Sequence, residues 1–144
     1  MKVIYPVQQV VSVWVGNFPT EGDFDECVNA NVTKRLALQT PIESVCEIAF
    51  ETKCVSLQQL IQGFSGWETF LPQVERAAAS LGVQSANAAL VCYNVQCEDA
   101  PELWGQLHFL GSFGGQDIKS FSESLASLQR CEMMTLLILS AVAY

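Results

Sequence analysis

Between residues 11 and 16 the chain reads VSVWVG, with Val11, Val13 and Val15 alternating against Ser12 and Trp14 until Gly16-Asn17 breaks the run. Such alternation marks a strand. Trp14 falls on the face opposite the valines, and exposing a large aromatic forfeits about 2–3 kcal/mol of burial. Either both faces of this strand are covered, or Trp14 anchors a partner. The following PTEGDFDECV carries a helix start, with Thr20 as cap, Asp23 in the capping-box position, and Phe24, Cys27 and Val28 on one apolar face. TPIE repeats that signature, with Thr40 as cap, Pro41 at the first helical position and Glu43 at the third. It predicts a second helix with Ile42, Val45, Cys46, Ala49 and Phe50 inward and Glu43, Glu47 and Glu51 on a neighbouring face. A further helix is expected from Ser56, with Leu57, Leu60, Ile61 and Phe64 inward. Another spans 67–81 and is stopped by Gly82.

The second half completes a sheet. Residues 88–95, AALVCYNV, form a nearly continuous apolar run, as in a central strand covered on both sides. Residues 103–113 alternate, with Gly105, Leu107, Phe109 and Phe113 on one face and Trp104, Gln106, His108 and Leu110 on the other. The polar QCEDAPE between these runs reads as the loop of an antiparallel hairpin. Ile118, Phe121, Leu125 and Leu128 predict a last amphipathic helix, and 133–143 is balanced between strand and helix, tilted to strand by its length. The expected fold is α+β: one domain over 1–144, a largely antiparallel sheet with helices packed on it.

Half of the 144 residues are hydrophobic, which supports a packed core. Fifteen acids against seven bases give a net charge of −8, unsuited to nucleic acid or an anionic membrane surface. The surplus favours a basic partner, or simply solubility. The apolar start is interrupted by Pro6 and Gln8-Gln9, with no small-residue cleavage site, so no signal peptide is read. The apolar stretch 133–144 is well short of the ~20 residues of a spanning helix. The expected location is cytoplasmic. Six cysteines (27, 46, 54, 92, 97 and 131) show no CxxC pair, so reduced thiols and no bound metal are expected.

Candidate chemistry is sparse. There is no GxGxxG, P-loop, GxSxG or HExxH. A Cys–His nucleophile pair would have to use His108, which sits mid-strand among aromatics and reads as a packed or rim histidine. Gly111, Gly114 and Gly115 have no basic residue following at a phosphate-loop spacing, so a plain turn is expected. No enzyme and no cofactor are inferred.

The segment VSVWVGNFPTEGDFDECV resembles the opening of the immunity protein 22 family, small domains encoded beside bacterial polymorphic toxins. The resemblance continues through LQQLIQGFSGWETFLPQV and returns at AALVCYNVQCEDAPELWGQLHFLGSF, covering about residues 9–113. The cysteine-bearing FETKCVS departs from the family's acidic, aromatic middle, and 116–144 form a C-terminal extension beyond its pattern. Val13, Trp14, Gly16, Tyr93, Asn94, Gly111 and Ser112 match motif positions. The resemblance implies structural roles, with Gly16 freeing the strand-to-helix turn and Trp14 packed under the helices. It also implies a cytoplasmic protein that binds a cognate toxin domain, such as a basic nuclease, and blocks it stoichiometrically. A small Cys-dependent enzyme and an orphan ligand-binding or oligomeric domain are the alternatives.

The expected partner surface is acidic. Glu98, Asp99 and Glu102 crowd one loop, where mutual repulsion does nothing for a turn and binding residues concentrate. Asp25 and Glu26 join them if the fold brings the first helix beside that loop. Acids in a helix's first turn also stabilise it by ~0.3–1 kcal/mol each without any partner.

Overall fold

The computed structural model describes residues 1–114. Val11–Gly16 (β2) is the centre of a five-stranded sheet, with β1 (Lys2–Ile4) preceding it in the chain. The sheet order is β3-β4-β2-β7-β6, every pair antiparallel, built from β3 (Cys46–Ser56), β4 (Ser85–Tyr93), β6 (Leu103–Trp104) and β7 (Leu107–Phe113). A separate two-stranded ladder joins β1 to β5 (Gln96–Glu98).

Both faces of the sheet are covered. Val11, Val13 and Val15 pack with Ala89 and Val91 against Leu57, Leu60 and Ile61 of α3 (Leu57–Ile61) and Phe70, Val74 and Ala78 of α4 (Trp67–Ser80). Trp14 joins Leu90 and Leu107 on the opposite face, under Phe24 of α1 (Glu21–Cys27), Val28 and Val32 of a π-helical turn (Val28–Thr33), and Leu36 of α2 (Lys34–Leu36). Trp14 is fully buried, with its ring 5.2 Å from Trp104 and 5.0 Å from Phe109. The covered-face reading of VSVWVG therefore holds.

Local signals worked where a side chain closes a cap. Thr20 Oγ1 accepts from the Asp23 amide and Ser56 Oγ from the Gln59 amide, satisfying donors that a helix start leaves orphaned. Gly82, at φ +75°, ends the Trp67 helix as expected. TPIE did not start a helix. After a single 3-10 turn (Ile42–Ser44) the chain enters β3, where Cys46 and Phe50 face Trp14's layer and Ala49 faces the other. An apolar residue at every second position served a sheet edge as well as its helical spacing served a helix, and pairing with β4 decided the matter.

Three further expectations are corrected. Residues 88–95 and 104–113 are not hairpin partners, because β2 lies between β4 and β7 and pairs with both. The run 103–113 is not one strand either. Gly105, at φ +67°, turns it back so that Trp104 faces Leu107 across β6 and β7, placing the two on the same side. A register shift opposite Val13/Trp14 then reverses the parity of β7, so Phe113 joins the valine face although Phe109 packs with Trp14. Gly111, read with Gly114 and Gly115 as a turn, lies in this strand.

The cysteines differ most. Cys46 and Cys92 are direct partners across β3 and β4 and form a disulfide, against the expectation of reduced thiols. Their Cα atoms are 4.1 Å apart, a proximity that the distance between them in sequence conceals. Cys27, Cys54 and Cys97 are free. The expected helix over 118–128, the stretch 133–143 and Cys131 lie outside the described residues.

Candidate functional site

Among the described residues β3 is an edge strand, bonded on one side to β4. Residues 46–50 pair regularly, but the register then jumps from Phe50↔Ala88 to Val55↔Ala86, so Glu51–Cys54 bulge from the ladder. In that bulge the exposed Cys54 thiol donates to Asn17 Oδ1 at 2.7 Å. On the α1 side of the regular half lies a groove of about 440 Å³, lined by Asp25, Val28, Ile42, Glu43, Ile48 and Leu90 among others. Its lining mixes apolar Val28, Ile42, Ile48 and Leu90 with polar residues, and Ile48 stands 49% exposed. Asp25 and Glu43 put carboxylates on its wall. Glu43 and Ile48 carried no site signal in the sequence, since they were assigned to a helix that does not form.

The other side of β3 is tied down. Glu47 accepts hydrogen bonds from the Ser65 amide and hydroxyl, both at 3.0 Å, and from the Tyr93 hydroxyl at 2.7 Å. Burial, reinforced by the Glu47 carboxylate, pushes the Tyr93 phenol far above its ordinary range. The cluster locks β3 and β4 to the α3–α4 connection. Next to it Asn94 adopts φ +65°, a left-handed conformation that asparagine tolerates, and it exchanges backbone bonds with Val7 and Val10.

The expected acidic loop is not a free hairpin loop. Glu98 sits in β5 opposite Lys2 and accepts from Gln96 Nε2. Glu102 Oε2 lies 3.4 Å from His108 Nδ1, and both groups are partly exposed. Asp99 is exposed, at φ +53°. Glu98 and Glu102 therefore have local partners that a sequence reading denied them. Asp25 is not brought to them. It faces the β3 edge, whereas Glu102 and His108 belong to the opposite, β6–β7 edge. Glu26 is exposed on the same helix.

Gly16 is demanded by closeness rather than by turn freedom. A Cβ there would come within 2.9 Å of both the Gln106 carbonyl oxygen and the Phe18 ring. Cys97 offers little for covalent chemistry. Nucleophilic thiols need a lowered pKa, and burial moves Cys97 the other way, from 9.0 up to about 11. Among the described residues no three of His, Cys, Asp and Glu converge as metal ligands. The chain matches no known family model, no curated protein and no solved structure.

Proposed function

We propose that this protein is an immunity-type inhibitor that binds a cognate, basic toxin domain stoichiometrically and performs no chemistry on it. The observation that carries the reading is the groove beside β3. Half-exposed Ile48 beside Val28, Ile42 and Leu90, with Asp25 and Glu43 in the same lining, gives the mix of apolar and charged side chains that a protein docking site uses. A chain of net charge −8 attracts a basic surface at long range and so speeds its association. The resemblance of residues 9–113 to the immunity protein 22 family agrees with this chemistry. Glu98, Asp99 and Glu102, away from the β3 groove, add acidic charge that steers a basic partner.

The reading places the encounter in the cytoplasm. No helix among the described residues is long and apolar enough to cross a membrane. In a glutathione-buffered compartment Cys46 and Cys92 would be held as thiols, still adjacent through their register. The test is co-expression of the full chain with the toxin domain encoded beside it, followed by titration of the purified pair. Rescue of growth and a 1:1 complex are expected. Unrelieved toxicity with no complex overturns the proposal.

A further inference from the structure

We infer that the partner is held by strand addition: a basic, extended segment pairs with the outer backbone of residues 46–50 and continues the sheet beyond β3. This deepens the reading above and rests on it for the identity of the partner, though not for the chemistry of the edge.

The hydrogen-bonding phase of β3 decides which groups are available. The Tyr93 amide donates to the Val45 carbonyl at 2.9 Å, and the register Cys46↔Cys92 makes Val45 and Tyr93 direct opposites. They occupy a hydrogen-bonded position, although the Val45 amide itself donates to the Ile42 carbonyl at 3.0 Å, and such positions alternate along an antiparallel ladder with ones whose backbone groups point away. Glu47↔Val91 and Ala49↔Ala89 are then bonded inward. Cys46, Ile48 and Phe50 direct their N–H and C=O groups outward. The 4.1 Å Cα separation of Cys46 and Cys92 agrees with a non-bonded pair, for which about 4.5 Å is typical. Among the described residues, no backbone bond reaches these outward groups.

An edge of this kind is a template for another strand, and proteins usually blunt it. Here the blunting is confined to one half, where the bulge at 51–54 carries Glu51 and Lys53. The half at 46–50 is regular and long enough, at about 17 Å, for a strand of some five residues. Its alternate side chains also select the occupant. Ile48 points into the groove beside Asp25 and Glu43, so the added strand would set an apolar side chain against Ile48 and a lysine or arginine by the carboxylates. A second copy of this chain fits worse, because each copy would bring Asp25, Glu43 and a net charge of −8 to the shared edge. Backbone pairing with alternate side-chain pockets is a known mode of peptide recognition.

The decisive measurement is residue-resolved amide exchange on the full chain, alone and with the toxin domain. The Ile48 and Phe50 amides should exchange quickly in the free chain and at least tenfold more slowly in the complex. The Glu47 and Ala49 amides, already bonded to β4, should be slow in both. Slow exchange of Ile48 and Phe50 in the free chain would show the edge occupied from within the molecule or by a second copy, and overturns the inference. So does a complex in which they stay fast. If no complex forms, the toxin reading falls, and an end-capped peptide of alternating lysine and valine is used instead. Slowing at Ile48 and Phe50 then sustains the basic-strand edge, and its absence rejects it. Ile48→Pro supplies an independent check, since it deletes an outward donor and leaves the β3–β4 ladder intact. It should weaken binding at least tenfold with thermal unfolding little changed, and undiminished binding by a folded Ile48→Pro protein refutes strand addition.

Discussion

Trp14 is wedged between Trp104 and Phe109 with its indole nitrogen buried and without an acceptor among the described residues. Its value is therefore volume and ring contact rather than hydrogen bonding. Trp14→Ala should lower stability by about 3–5 kcal/mol in urea unfolding. Trp14→Phe should cost less, because it keeps an aromatic and removes the unpaired N–H. Cys97 offers a pH test. Its thiol titrates near 9.0 when unburied and at about 11 in the folded chain, so the unfolded state loses its proton first. Stability supplied by this group is complete below pH 9 and is lost as pH rises towards 11, with a slope approaching about 1.4 kcal/mol per pH unit. Cys97→Ala should flatten the stability profile across that window, and an unchanged profile would exclude the assignment.

At the scale of elements, caps and edges carry separate loads. Ser56 closes both the end of β3 and the start of α3, and Ser56→Ala should cost about 1 kcal/mol by exposing the Gln59 amide. The Cys46–Cys92 bridge fastens the regular half of β3 to β4. After mild oxidation of the purified protein, peptide mapping should find these two cysteines joined and Cys27, Cys54 and Cys97 alkylatable after unfolding. Recovery of all five as free thiols would contradict the pairing. Elements were legible in the sequence where one local device sufficed. Ser56, Thr20 and Gly82 announced helix ends correctly because a cap is settled within three or four residues. β3 was hidden because Ile42 to Phe50 satisfies helical spacing and alternation alike, and only the neighbouring β4 backbone discriminates between them. The β6–β7 turn was hidden for a different reason. Gly105 could be read as one more strand position until Asn31 and Cys27 came to press on it, within 2.5 and 2.9 Å of where a Cβ would stand.

For the whole molecule, Glu98, Asp99 and Glu102 lie away from the groove that Asp25 and Glu43 line, and the two groups should contribute differently. Reversal of Glu98, Asp99 and Glu102 should slow association with a basic toxin domain and flatten its salt dependence, leaving dissociation nearly unchanged. Reversal of Asp25 and Glu43 should instead speed dissociation, because these carboxylates wall the groove that the partner fills. Stopped-flow association at several ionic strengths separates the two, and equal effects would show that the groove is not the contact. The sequence by itself determined the class of the fold and the strands around residues 11–15 and 88–93, because hydrophobic periodicity records which side of an element is covered. It also determined that acids dominate the surface chemistry. Only the tertiary structure decided strand order, the parity change in β7, the meeting of Cys46 with Cys92, and the groove that joins Asp25 to Ile48. Those depend on which backbone lies alongside which, and a periodic pattern along one chain carries no record of its neighbour.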